Sequence, residues 1–304
     1  MVLELLKKSL EKIHKMKTLE NIREIINKYE VFILDQWGVI HDGNRGYSHA
    51  IKCINYLKAN NKKLIIISNS PKRKQSSINR LPILGFDSDL FDEVITSGEM
   101  IWQAISISLE KYGDNLKKCF HIFDDSKEDG IKYRDGLKNV EFVSDIREAN
   151  FILACTPYKN SLPIDYIPIL NEAYKNKMLF FCANPDFETV ENANKKNILC
   201  MGTIGQLYQD MGGNVIILGK PSKEIYQEAT KFLNSYKKSQ MVAIGDSLFH
   251  DIIGAKKFGI DSVLITSGIH GDYFSKKKPL WQSKKNQLLK YNIEPTYLSS
   301  EFIL

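Results

Sequence analysis

The feature that most constrains this chain is a series of short, uninterrupted apolar runs separated by helical stretches. Val31–Leu34 (VFIL) and Leu64–Ile67 (LIII) are two such runs, with a helical pattern over Ala50–Leu57 and a polar turn at Asn60–Lys63 between them. A run that is apolar at every position, rather than at alternate ones, suits a strand buried on both faces. Strand, helix, strand within one short span is the signature of a parallel βαβ unit. Val94-Ile95 adds a weaker strand. The pattern returns towards the C-terminus, with Val215–Leu218, a helix over Lys223–Asn234, strands at Met241–Ile244 and Ser262–Ile265, and a helix over Ile252–Phe258 between the last two. The middle of the chain has strands of its own at Cys119–Phe123, Phe151–Ala154 and Leu179–Cys182, and a helix over Asp165–Asn176. The fold class read from this is α/β: a Rossmann-like parallel core in two halves, residues 1–114 and 213–304, with an inserted α/β domain at 115–212. A chain of 304 residues accommodates two such cores. Ahead of residue 30, Leu3, Leu5, Leu6, Leu10 and Ile13, then Ile22, Ile25 and Ile26, predict one or two amphipathic helices.

Composition excludes several function classes. Hydrophobic residues are 43% and charged residues 26%, as in an ordinary globular protein. The net charge of +6 is carried by lysine-rich stretches such as Asn60–Lys63 and Lys276–Lys278, which read as solvated faces. No basic run is interleaved with aromatics, so a nucleic-acid partner is not expected. Five scattered cysteines with no C-x-x-C pair argue against a disulfide framework or a zinc site; Cys155 and Cys182 end apolar runs and read as buried small hydrophobes. No apolar run has the length of a membrane span, and the first residues mix lysine through their apolar positions, unlike a secretory leader. The expectation is a cytoplasmic protein without a membrane partner, and a homo-oligomer is compatible with it.

Ligands of open parallel sheets bind beyond the carboxyl ends of the strands. Four polar insertions sit there: Asp35 after VFIL, Ser68-Asn69-Ser70 after LIII, Lys220 after VIILG, and Asp246 with Asp251 after VAIG. Taken singly, each has a plain reading as a helix cap, a turn residue or a surface charge. Taken in order, they form a phosphoryl-transfer set. A carboxylate can attack phosphorus, and a second carboxylate beside it can hold Mg²⁺, a hard cation that takes oxygen ligands. A hydroxyl and backbone amides can hold phosphate oxygens, with Pro71 suited to the first turn of a following helix, and a lysine supplies fixed positive charge.

Asp35–Gly43 (DQWGVIHDG) resembles the first motif of the haloacid dehalogenase superfamily, Ile65–Ser70 (IIISNS) the second, Gly219-Lys220-Pro221 the third and Gly245–Ala255 (GDSLFHDIIGA) the fourth. The inserted domain between the second and third motifs resembles the C2-type α/β cap of subfamily IIA, the NagD-like phosphatases. Asn184-Pro185-Asp186, Gly202 and Tyr208–Gly213 strengthen the match. The resemblance implies a Mg²⁺-dependent phosphatase on a small phosphorylated metabolite, a sugar or nucleotide phosphate. It makes Asp35 the nucleophile and a metal ligand, the Trp37 carbonyl and Asp246 further ligands, and Asp251 an outer residue acting through water. Ser68 and Asn69 would bind the phosphoryl group, Lys220 would pair with Asp35 and the phosphate, and Asn184 and Asp186 would face the substrate from the cap. The family's acid/base aspartate, two residues after the nucleophile, is Trp37 in this chain. Indole donates a hydrogen bond but shuttles no proton. This departure opens two alternatives: a phosphotransferase, or a catalytically weak phospho-ligand binder. His41, Asp42 and His250 are the nearby groups that could replace the proton donor.

Overall fold

The computed structural model describes residues 17–112, 116–126, 128–191, 196–269 and 293–304. The helix expected over residues 3–13 and the lysines at 276–278 lie outside the described residues. In chain order the strands are β1 (Lys17–Leu19), β2 (Val31–Leu34), β3 (Lys63–Ser68), β4 (Glu93–Thr96), β5 (Lys118–Ile122), β6 (Glu141–Val143), β7 (Phe151–Ala154), β8 (Leu179–Cys182), β9 (Glu188–Glu191), β10 (Lys196–Leu199), β11 (Asn214–Ile217), β12 (Met241–Gly245), β13 (Asp261–Ile265) and β14 (Tyr297–Ser299). The chain is α/β and forms two compact units. Of the described residues, one takes those up to Ile67, Asn79–Val94 and those from Lys220 onward; the other takes Ser68–Ile78 and those within Ile95–Gly219.

A seven-stranded sheet runs in the order β1-β14-β13-β12-β2-β3-β4. The central strand β2 pairs in parallel with β12 on one side and β3 on the other, and all four of its residues are buried. This is why its sequence reads as one apolar run. The helix Ser48–Ala59 connects β2 to β3 and buries Ala50, Cys53, Ile54 and Leu57, the spacing of one helical face. Asn61, at φ 58°, turns the chain back into β3 in the left-handed conformation that asparagine tolerates. Among the described residues, the short 3₁₀ turn Ile22–Glu24 forms where the isoleucine spacing predicts an amphipathic helix ahead of β2. Ile22, Ile25 and Ile26 are buried all the same, because apolar residues in a tight turn can be as inward-facing as those on a helix.

The second unit holds a five-stranded sheet in the order β11-β8-β7-β5-β6, parallel throughout. Its two faces bury separate cores, and the period-two alternation of strands assigns the side chains. Ile152, Phe180 and Cys182 join one cluster with Tyr166, Leu170 and Tyr208. Phe151, Leu153 and Phe181 join the other with Ile101, Ile105 and Tyr133. A hairpin of β9 and β10 completes the described elements of this unit. The strand at Val215–Leu218, expected in the core sheet, instead pairs with β8 in this second sheet. Four apolar residues satisfy either sheet equally, so the run itself cannot say which one it joins. The helix expected to reach Asn234 ends at Thr230, and a π-turn over Leu248–Ile252 precedes the helix Ile253–Phe258. All five cysteines are buried and unpaired with one another. Among the described residues no helix is long and apolar enough to cross a membrane.

Phe181 is fully buried in the core of the second unit, edge-on to Phe151 at a centroid distance of 5.6 Å. Phe181→Ala is expected to destabilise the protein by about 3–5 kcal/mol, the usual loss for a phenylalanine removed from a core that cannot collapse. Urea unfolding checks this, and a loss near zero would show that the two-faced core of this unit is misassigned.

Candidate active site

Asp35 is the first residue beyond β2. Its amide donates to the Ile244 carbonyl at 2.9 Å, which continues the β2–β12 ladder to the last position where a side chain can turn out of the sheet. The chain then folds tightly: the Gln36 carbonyl accepts from Val39, Ile40 and His41, and Gly38 sits at φ 74°. A Cβ on Gly38 would lie 2.0 Å from Asp246 Oδ2, so only glycine permits this approach. Asp246 follows β12, and its Oδ2 accepts the Ile269 amide at 2.7 Å. Asp251 comes round on the π-turn, where its Oδ2 accepts the Ser247 amide at 3.0 Å. Lys220 Nζ lies between two of these groups, 2.6 Å from Asp35 Oδ1 and 2.7 Å from Asp251 Oδ1.

Asp35, Asp246 and Asp251 each offer a carboxylate oxygen within 4.8 Å of the others, and all three are buried. That spacing is comparable to the span of oxygens around one cation with ligand distances of about 2.1 Å. Three carboxylates facing one ammonium leave two negative charges without a partner among these four side chains. Buried charges are costly unless compensated, so a divalent cation fits this donor set in both charge and oxygen chemistry. The electrostatics follow. Burial, with the neighbouring Asp251 charge adding to it, pushes Asp35 up to about 7 despite the opposing Lys220. Burial and the Asp35 and Asp251 charges push Asp246 well above the usual carboxylate range. Burial would lower Lys220, but the Asp251 and Asp35 carboxylates overcome it and hold the ammonium protonated.

In the second unit, Ser68 ends β3 and its Oγ accepts the Ser70 amide at 3.3 Å. Asn69 Nδ2 donates to Asp186 Oδ1 at 2.7 Å, and the Asp186 amide donates to Asn184 Oδ1 at 3.1 Å. The Asn-Pro-Asp turn is thus tied to the loop after β3, and Gly219 fits against both: a Cβ there would lie 2.6 Å from Asn69 Oδ1 and 2.7 Å from the Pro185 ring. Pro71 precedes the helix Lys74–Arg80 by three residues instead of opening it. The structure brings Asp35, Lys220, Asp246 and Asp251 together in one unit and Asn69, Asn184 and Asp186 together in the other.

Trp37 precedes Gly38, the residue that packs against Asp246. Its benzenoid end rests on Gly43, where a Cβ would lie 2.1 Å from the indole Cη2, and His41 meets it edge-on at 5.4 Å. His41 Nδ1 accepts the Gly43 amide at 3.0 Å, and burial beside the Arg80 cation pushes this imidazole down to about 4. His41 is therefore a neutral structural group. Asp42 accepts the Asn44 and Arg45 amides, each at 2.9 Å, which makes it a turn residue. His250 Nδ1 lies 3.3 Å from Ser247 Oγ. Sequence reasoning missed Gly38, Gly268 and the Ile269 amide, all of which touch Asp246. The one available signal was the Thr-Ser-Gly turn, Thr266–Gly268, that follows β13.

The raised carboxylates give a prediction for the metal. Asp35 ionises at 3.8 in the unfolded chain and at about 7 in the fold, so the metal-free fold loses stability as pH rises between those values. Mg²⁺ binding needs the groups deprotonated and removes their repulsion. At about one hundred times its Kd, Mg²⁺ should add about 2.7 kcal/mol, several degrees in Tm, with a larger gain at pH 8 than at pH 5.5. Thermal melts with and without chelator measure it, and no Mg²⁺-dependent rise at pH 8 would remove the metal site.

Two family models match the chain. The model described as haloacid dehalogenase-like hydrolase matches residues 32–132, and one described as HAD-hydrolase-like matches residues 217–301. Phosphoglycolate phosphatase 1A, chloroplastic, of Arabidopsis thaliana is 25% identical over 268 residues, which cover 83% of this chain and 72% of that protein. A haloacid dehalogenase-like hydrolase from Brucella suis superposes with a TM-score of 0.78 at 27% identity, covering 94% of this chain and 100% of the other. A possible sugar phosphatase from Cytophaga hutchinsonii has the same fold, with a TM-score of 0.74 at 19% identity over 95% of this chain and 99% of its own. The two family models together cover more than half of the chain, which belongs to the haloacid dehalogenase superfamily and is an enzyme of the phosphatase type.

Proposed function

We propose that the protein is a Mg²⁺-dependent phosphatase of a small phosphorylated metabolite, a sugar or nucleotide phosphate, working through an aspartyl-phosphate at Asp35. The observation that carries the reading is the buried Asp35–Lys220–Asp251 arrangement with Asp246 in the same cluster, three carboxylates that, when ionised, exceed the one ammonium among these four side chains by two charges. A carboxylate oxygen of Asp35 attacks phosphorus, the Asp35 O–P bond forms, and the bond from phosphorus to the leaving oxygen breaks. Water then attacks the phosphorus, and phosphate leaves as the Asp35 O–P bond breaks. Lys220, fixed by Asp251, holds positive charge against the attacking carboxylate and the transferring group. Asp35, Asp246 and the Trp37 carbonyl are the groups that would hold Mg²⁺, with Asp251 as the outer residue. The ion would neutralise charge on the phosphoryl oxygens. The Ser68 hydroxyl and the Asn69 amide are assigned to the phosphoryl oxygens, and Asn184 and Asp186 to the rest of the substrate.

Phosphate release from p-nitrophenyl phosphate, with and without Mg²⁺, followed by a screen of phosphorylated metabolites, tests the reading. One observation favours a second function: Trp37 in place of a proton donor fits a phospho-ligand binder or a phosphotransferase. Phosphate analogues that bind in Mg²⁺ without turnover of any ester would select the binder. Transfer to an alcohol acceptor in preference to water would select the phosphotransferase.

A further inference from the structure

Trp37 is the anomaly of the site, because a large apolar side chain is left in water where its neighbours are not. It is 36% exposed, while Gln36 is 6%, Val39 1%, Ile40 0% and His41 2% exposed. Its backbone adjoins the carboxylate cluster, since the next residue, Gly38, packs its Cα against Asp246. The side chain is also held in place. Gly43 lies beneath the benzenoid ring, and any side chain at that position would collide with it. Arg80 donates to the Gly43 carbonyl, His41 Nδ1 accepts the Gly43 amide, and the His41 ring supports the indole edge-on. Gly43 and the His41 ring thus hold the indole of a residue whose backbone adjoins the carboxylates, and part of the indole surface stays open. An unused surface tryptophan would need no such support.

The geometry points to Trp37 as a wall that seats the leaving group, selecting phosphate esters whose leaving group is a planar aromatic ring. The inference rests on the phosphatase reading above and deepens it. Indole offers a π face to such a ring, and aromatic pairs gain affinity beyond the area they bury. The same residue removes the proton donor that an alkoxide leaving group needs, whereas an aryloxide departs without one. Binding and chemistry at this position therefore select the same ligands.

The test uses non-hydrolysable phosphonates on the full chain in Mg²⁺, so that turnover is not needed. Phenylphosphonate and cyclohexylphosphonate have nearly the same bulk and differ in aromaticity; methylphosphonate reports the phosphoryl site alone. By calorimetry, the wild-type protein should bind the phenyl compound roughly 2- to 10-fold more tightly than the cyclohexyl one, the range expected of one aromatic pair. Trp37→Phe should keep that preference. Trp37→Leu should bring the ratio to about one, and a melting temperature within a few degrees of the wild type shows that this variant is folded. A wild-type ratio near one, or a preference that survives in Trp37→Leu, overturns the wall while the phosphoryl site stands. If none of the three phosphonates binds in Mg²⁺, the phosphoryl site itself falls and the inference with it.

Discussion

Asp35→Asn is expected to abolish phosphate release while leaving the fold intact. Asparagine keeps the size and planarity of the side chain, but its amide has no anionic oxygen to attack phosphorus, so the covalent route closes. Removing a nucleophile that works as part of a unit costs on the order of 10⁶ in kcat. The structure explains why stability should hold. Lys220 keeps Asp251 at 2.7 Å as a partner, so the substitution leaves no unpaired buried ammonium. It also takes one of three mutually repelling carboxylates out of a buried site. In chelator, the melting temperature of the variant should therefore equal or exceed that of the wild type at pH 8. Initial rates on p-nitrophenyl phosphate and melts of both proteins measure the two effects. A variant within tenfold of wild-type activity would exclude Asp35 as nucleophile, and a variant that melts early would show that Lys220 depends on Asp35 for its place.

Asp35 and Asp246 were legible because each follows an apolar strand in a fixed order, and Phe151–Ala154 and Leu179–Cys182 were legible to the residue because burial on both faces leaves no polar position within them. Val215–Leu218 was not, since its apolar residues satisfy either sheet and only its pairing with β8 places it. Lys220 nevertheless reaches Asp35 because the chain passes between units just before it, at Gly219. The Ile269 amide on Asp246 was invisible because a backbone donor has no side-chain signature. The Asn69–Asp186 bond joins residues 117 positions apart, and no local pattern encodes a distance of that kind. Ile22, Ile25 and Ile26 misled for a different reason: they are spaced as on a helix, yet the chain there closes a 3₁₀ turn of three residues, too few for a helical hydrogen-bond ladder to propagate.

Trp37→Asp should raise the turnover of alkyl phosphates by roughly 10²–10⁴, the usual value of a positioned general acid. On the proposed mechanism, an alkoxide leaving group in the wild-type protein receives no proton from position 37. His41 cannot supply it, because its Nδ1 is taken by the Gly43 amide and the imidazole, pushed down to about 4, is neutral at pH 7. Asp42 is tied to the Asn44 and Arg45 amides in a turn. A carboxylic acid at position 37 would donate to the leaving oxygen and then, as a carboxylate, accept a proton from the attacking water. Both half-reactions should quicken, so any aspartyl-phosphate that accumulates in the wild type should fall in the variant. Aryl phosphates need little protonation, and their kcat should change far less. Losing the indole also uncovers Gly43, and Trp37→Asn reproduces that loss, and nearly the same side-chain size, without the proton. The deciding comparison is kcat for one sugar phosphate and one aryl phosphate on wild type, Trp37→Asp and Trp37→Asn. If the aspartate variant is no faster than the asparagine variant on the sugar phosphate, position 37 does not deliver the proton. If the wild type already hydrolyses the sugar phosphate rapidly, another group does, and His250, beside Ser247 on the π-turn, is the next to replace.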